Sequence, residues 1–211
     1  MAVYEVITGN SVLDAAIEEI RQNCNKMVLL DGYPASFSEA NTAKGSGGLL
    51  LASSAMTSGD FTAAADASPD GRDTDVSAKS GLTAGDAGCG SVIALLDTVN
   101  SLILHQTPEN LERQNTAQAG ATGTITLDTG ASAVDDAYNG MRVGILSGTG
   151  AGQERVISDY VGSTKVASVA VNWTTAPDAT SVFVVYGRPV TGGDTVNIGG
   201  FTIRFAQPAV V

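Results

Sequence analysis

Short apolar strand patterns, some alternating with a period of two and some unbroken runs, recur along this chain between polar and glycine-bearing turns, and the one convincing helical period lies near the N-terminus. There, Leu13, Ile17 and Ile20, joined by Val12 and Ala16, form one stripe at helical spacing, with Glu18, Glu19, Arg21 and Gln22 largely outside it. Ser11 is placed to cap this helix and Asp14 to sit in its first turn, where the helix dipole favours a carboxylate. The helix is expected to end between Asn23 and Asn25.

Short strand patterns follow. Met27 to Leu30 is an apolar run stopped by Asp31-Gly32-Tyr33-Pro34, and the polar span from Ser36 to Gly48 reads as an exposed loop. Leu49 to Ala52, Phe61 to Ala65 and Thr74 to Ala78 are further strands, with a turn at Pro69-Asp70-Gly71-Arg72. Ser91 to Leu96 and Leu102 to His105 make a hairpin around Asp97 to Ser101. Thr107-Pro108-Glu109 looks like a short helix start, with threonine as cap and proline in the first turn. Leu111 to Gly123 then reads as a polar, alanine- and glycine-rich connector.

The strongest strand pattern lies beyond it. Ile125 and Leu127 share one face of a strand from Thr124 to Asp128. Met141, Val143 and Ile145 alternate with Arg142 and Gly144 after the tight-turn pair Asn139-Gly140. Glu154 to Val161 is rich in β-branched residues, and Gly162-Ser163 suits a two-residue hairpin returning along Lys165 to Val171. Ser181 to Tyr186 closes the set after the turn at Pro177-Asp178. In the last segment, Val196 and Ile198 are even-numbered but Phe201, Ile203 and Phe205 are odd. A slip of one residue moves an apolar face to solvent unless something absorbs it, which predicts a single strand from Thr195 to Ala206 bulged at Gly199-Gly200.

These elements predict a mainly β fold: two antiparallel β domains, the second inserted into a hairpin of the first, with one N-terminal helix. The first spans 1–107 plus 188–211 and the second, a sandwich or barrel-like module, spans 113–187. Composition agrees, since 25 glycines and 16% charged residues in 211 suit short strands and turns better than long helices.

Charge and chemistry narrow the function. A formal net charge of −11 disfavours nucleic acid and anionic membrane surfaces as partners, because both demand a basic footprint. Met1 to Gly9 carries no secretory leader pattern, and no apolar run approaches the length of a membrane span. Cys24 and Cys89 fit no metal spacing and are expected to be buried free thiols, with a disulfide as the alternative. His105, the single histidine, is expected at a strand end, and no nucleophile elbow accompanies it. Gly148-Thr149-Gly150-Ala151-Gly152 invites a phosphate-loop reading, but strand follows it where a helix is needed. Asp66, Asp70, Asp73 and Asp75 gather around one turn, yet lack the ordered ligand spacing of a calcium loop. No catalytic, cofactor-binding or metal site is therefore expected, and no enzyme.

The outer segments resemble small virion proteins of tailed bacteriophages. The likeness lies in the N-terminal helix, Ala55-Met-Thr-Ser-Gly-Asp-Phe61, Asp70-Gly-Arg72, Ala94-Leu-Leu-Asp-Thr-Val-Asn-Ser101, and Gly193-Asp-Thr-Val-Asn-Ile-Gly-Gly-Phe-Thr-Ile-Arg204. The inner stretch is similar to a β module that recurs in phage structural proteins, marked by Tyr138-Asn-Gly140, Ser147-Gly-Thr-Gly-Ala-Gly-Gln153 and Pro177-Asp-Ala-Thr-Ser181. The resemblance implies a decoration or cement subunit on the outside of a phage capsid, resident in the virion after assembly in the host cytoplasm. Its partners would be the major capsid protein and other copies of itself, as a homo-oligomer with a trimer foremost. The alternatives are a tail-fibre or tail-spike accessory and a receptor- or carbohydrate-binding module, for which Trp173, Tyr138, Tyr160 and Tyr186 would supply a stacking face.

Overall fold

A computed structural model describes residues 10–66 and 71–206. The fold is mainly β, with 47% strand and 12% helix, several antiparallel sheets and one long N-terminal helix. Helix α1 (Asn10–Asn23) leads into β1 (Lys26–Leu30), α2 (Phe37–Asn41), β2 (Leu50–Ala55), β3 (Ala65–Asp66), β4 (Gly71–Val76), β5 (Lys79–Thr83), β6 (Gly88–Gly90), β7 (Val92–Asp97) and β8 (Leu102–Pro108). The chain continues through β9 (Leu111–Thr116), β10 (Ala119–Ala121), β11 (Thr124–Thr126), β12 (Arg142–Ser147), β13 (Glu154–Val161), β14 (Val166–Val169) and β15 (Val182–Tyr186). It ends with β16 (Arg188–Val190), β17 (Thr195–Ile198) and β18 (Phe201–Ala206).

Strands β1 and β7 are the middle of a four-stranded sheet ordered β2-β1-β7-β8. Both read as unbroken apolar runs because the sheet is covered on both faces. Met27, Leu29, Ile93 and Leu95 enter one buried cluster, while Val28, Leu30, Val92, Ala94 and Leu96 enter another. Helix α2 supplies the second cover through Phe37 and Ala40. Strands β16, β17 and β18 return to this part of the chain and pair with β6, β5 and β4, so Val190, Val196, Ile198 and Ile203 complete the first cluster.

Residues 111–186 pair only among themselves, in a seven-stranded sheet ordered β10-β11-β14-β13-β12-β15-β9. Its two terminal strands are consecutive in the chain. Thr116 pairs with Val182 of β15, Ala117 N–H donates to Ser181 O, Gln118 N–H donates to Thr126 O, and Ala119 pairs with Thr126 of β11. One bent segment thus closes the sheet into a small barrel, which abolishes its edges over that stretch. Its core is ring-rich: Tyr138, Tyr160, Trp173 and Phe183 pack with Val143, Ile145, Ile157 and Val185. Tyr138 and Tyr160 meet edge to face at 4.7 Å, and both hydroxyls are satisfied by the Ser132 backbone.

Several sequence expectations are corrected. Ser11 lies inside α1 rather than capping it, Asp14 pairs with Arg72 at 2.5 Å, and Val12 is exposed. The span 36–48 is not simply loop. Ser36 accepts from Glu39 N–H and Glu39 accepts from Ala35 N–H, capping α2, and a 3₁₀ turn follows at Lys44–Ser46. Of the Phe61–Ala65 strand only an isolated bridge at Phe61 and the first residue of β3 exist, whereas β5 and β6 are strands that the apolar pattern does not mark. Thr107-Pro108 ends β8 instead of starting a helix; proline is tolerated because this strand lies at a sheet edge. The 111–123 connector is β9 and β10. The Gly162-Ser163 hairpin has a four-residue loop, since Val161 pairs with Val166, and Lys165 rather than glycine takes the left-handed conformation at φ 60°. Finally, 195–206 is two strands. The apolar phase slips at Gly199-Gly200 because the chain changes partner there, from β5 to β4.

Candidate functional site

The loop after β1 reaches the barrel. Asp31 ends the apolar run of β1 and lies buried, where its Oδ1 accepts from Cys89 N–H at 3.1 Å and from Arg142 Nη2 at 2.8 Å. Arg142 Nη2 also donates to the Asp31 carbonyl at 2.9 Å, and Lys44 pairs with the other side of the carboxylate. The guanidinium passes over Gly32, whose φ of 112° strains any other residue and where an added Cβ would come within 3.3 Å of Arg142 Nη2. From its own side of the molecule, Arg142 Nη1 donates to Glu154 Oε1 at 2.6 Å, and the Tyr186 hydroxyl donates to Glu154 Oε2. Five side chains from both regions therefore form one chain of charge: Lys44, Asp31, Arg142, Glu154 and Tyr186.

Burial alone would raise the Asp31 carboxyl, but Lys44 and Arg142 outweigh it and hold the group below its ordinary value. Burial opposes the charge on Arg142, yet Asp31 and Glu154 raise its pKa further. Burial, reinforced by the bond to Glu154, pushes the Tyr186 phenol far above the usual tyrosine range. Both oxygens of Glu154 are occupied, so this constellation clamps the two regions together.

Beside the clamp lies a pocket of about 380 Å³. The barrel sheet supplies its floor through one cross-strand row, since Gln114 pairs with Val184, Val184 with Gly144, and Gly144 with Glu154. These side chains share the face opposite the barrel core. Tyr33 and Pro108 close the pocket from the other region, and Leu111 and Leu146 form its rim. The two chain crossings run alongside it. Gly187 N–H donates to the carbonyls of Glu109 at 2.9 Å and Asn110 at 3.1 Å, and Arg188 approaches Glu109 at 3.5 Å. Burial raises the Glu109 carboxyl, and Arg188 offsets this in part.

The residues weighed from sequence fall elsewhere. Gly148, Gly150 and Gly152 all take φ near 80°, in a loop that runs into strand β13, so no helix N-terminus stands behind them. Of the acidic group, Asp66 pairs with Arg72, Asp73 with Arg204 and Asp75 with the Thr202 hydroxyl, while Asp70 lies outside the described residues. Among the described residues no group of three or more His, Cys, Asp or Glu side chains is placed to hold a metal ion. His105 sits in β8 stacked on Phe201 at 5.8 Å, and burial lowers its pKa. Cys24 and Cys89 are buried free thiols whose pKa burial raises to about 11. The four aromatic residues offered as a sugar-stacking face are all buried, three of them in the barrel core, so no such face is presented. No described helix is long and apolar enough to cross a membrane.

Sequence reasoning missed the clamp. Its one signal was a pair of charges in apolar settings: Asp31 directly after Met27 to Leu30, and Arg142 between Met141 and Val143. Comparison of the chain with protein-family models, curated proteins and solved structures finds no match.

Proposed function

We propose that this chain is a non-catalytic structural subunit of a tailed-phage virion, bound as a decoration or cement subunit to the outer surface of the capsid. The observation that carries the reading is the division of strand pairing. Residues 111–186 form a closed barrel with its own core, while 188–206 return to pair with strands from 71–90. Gly187 ties the two crossings together. We read this as a module inserted between β8 and β16, which lie in different sheets but whose facing ends are held close at Glu109 and Gly187, a setting in which insertion is tolerated. Such a body offers one region to a lattice and another to solvent or to neighbouring copies, which agrees with the resemblance to phage virion proteins.

Two further features support it. The net charge of −11 suits the exterior of a capsid better than its DNA-filled lumen. Large apolar side chains stand exposed far apart in the chain, among them Val99 on the β7–β8 turn and Val134 and Val171 on barrel loops. Repeated weak contacts of this kind gain strength by effective concentration when several copies act together, and a lattice favours symmetric oligomers, with a trimer as the expected state. The test mixes purified protein with undecorated phage heads and, separately, with tails, then sediments them and counts bound copies. Saturable binding to heads in large copy number is the expected result; binding to tails alone contradicts it.

A further inference from the structure

We infer that the pocket over Gly144 is a binding site for a small, uncharged, flat ring compound of phenyl or indole size. The inference does not depend on the virion reading. Its starting point is a glycine that the fold does not require. Gly144 lies in the middle of β12, bonded on one side to Val184 of β15 and on the other to Glu154 of β13. Its φ is outside the left-handed region, and the irregularity in the β12–β15 pairing comes later, between Ile145 and Ser147. A Cβ placed there would meet Val184 Cγ1 at 3.5 Å and Tyr186 Cε1 at 3.8 Å, which is ordinary contact. The other glycines inside described strands each have a visible reason: a Cβ would fall 2.3 Å from the Phe205 carbonyl at Gly71, 2.8 Å from Lys44 Nζ at Gly88, 2.7 Å from Leu29 at Gly90 and 2.4 Å from the Pro177 carbonyl at Gly120, and Gly81 takes a φ of 71°. Glycine inside a strand weakens it and marks places where a ligand or another backbone comes close. Here its effect is to lower the floor of a pocket.

The walls define the ligand. Tyr33, Leu111 and Leu146 remain 49%, 61% and 53% exposed around this one cavity, three large apolar side chains left in water unless something covers them. The volume of about 380 Å³ falls in the range of small-molecule sites, and the position between two packed regions is a common one for them. No free charge faces the space, because Glu154 is engaged by Arg142 and Tyr186 at both oxygens, so neither an anion nor a cation is selected. The Gln114 carboxamide makes no side-chain hydrogen bond among the described residues and stands in the floor row beside Val184. The Gln153 carboxamide is engaged by Gly150, Thr174 and Thr175, so a mostly apolar site with only the Gln114 amide and the Tyr33 hydroxyl unengaged fits a neutral ring better than a sugar, most of whose hydroxyls would lack partners.

The test titrates the intact protein with indole, with indole-3-acetate and tryptamine as charged counterparts and methyl glucoside as a sugar control, and follows backbone and Gln side-chain amides by NMR. Saturable shifts confined to Gly144, Gln114 and their neighbours are expected with indole, at an affinity of about millimolar for so small a ligand. The charged analogues should bind more weakly and the glucoside not at all. Gly144→Val should reduce indole affinity at least about tenfold. Gly144→Ala guards against misfolding: its melting temperature should equal or exceed that of the parent while affinity falls. Shifts scattered over the molecule, affinity unchanged in both variants, or preference for the glucoside or a charged analogue would each overturn the assignment.

Discussion

In the barrel, strands from 111–186 share one closed sheet and one core built on Tyr138, Tyr160, Trp173 and Phe183. In the flanking region the strands are dealt into four small sheets, two of them only two strands wide, and a largely aliphatic cluster joins them. The difference concerns what holds a strand in place. Closure lets backbone hydrogen bonds fix strands whose side chains contribute little: β9 (LERQNT) is exposed at most of its positions, yet it pairs along its length with β15. The small sheets have no such help, so β17 and β18 depend on Val196, Ile198 and Ile203 reaching the common cluster.

That contrast is most severely tested in the cores. Phe183→Ala removes a fully buried ring from the barrel and should cost about 3–5 kcal/mol, whereas Leu95→Ala in the other cluster should cost about 2–5 kcal/mol. Native-state hydrogen exchange should show the first loss in barrel amides and the second in β1 and β7. Equal loss of protection everywhere from either change would mean that the two regions unfold as one.

The clamp comes next. Arg142→Leu leaves the Asp31 side chain, 10% exposed, with only Lys44 and the Cys89 N–H, and should cost about 3 kcal/mol by removing a charge partner from a buried carboxylate. The pH dependence follows in sign. The folded Asp31 pKa lies below 3.8, so the stabilisation is complete above that value and is lost as pH falls through the folded pKa. Urea unfolding between about pH 5 and about pH 2 should show this acid loss in the parent and a smaller one in Arg142→Leu. An unchanged profile would show that the junction is held by packing instead.

The smallest effect separates two adjacent glycines. At Gly200 a Cβ would lie 2.9 Å from the Val76 carbonyl, while at Gly199 nothing lies within 4 Å. Gly200→Val should destabilise by about 1 kcal/mol or more and Gly199→Val should be close to neutral, as read from denaturant midpoints. The reverse order would restore a bulge at Gly199.

What was legible in the sequence follows the same contrast. β13 (Glu154–Val161) and the alternation of Met141, Val143 and Ile145 were clear because one face meets a core and the other does not. β1 and β7 were clear because burial on both faces leaves a bare apolar run. β9 and β10 were illegible because their places are set by backbone pairing to partners about 70 and about five residues away, which leaves no side-chain period to read. Helix α2 was legible in principle, since Ser36 and Glu39 have capping-box spacing, but five residues are too few for a period to show. The pocket was not legible at all: its floor row joins Gln114, Gly144, Glu154 and Val184 across three strand pairings, and only register brings them together.

If the barrel is a module carried by the rest of the chain, the remainder folds without it. Gly187 already contacts Glu109, so residues 111–186 can be replaced by a short Gly-Ser link without stretching the ends. The expected product is a soluble remainder with β-type circular dichroism and a single cooperative unfolding transition. An insoluble product, or one that melts without cooperativity, would show that the two regions share one folding unit and would contradict it.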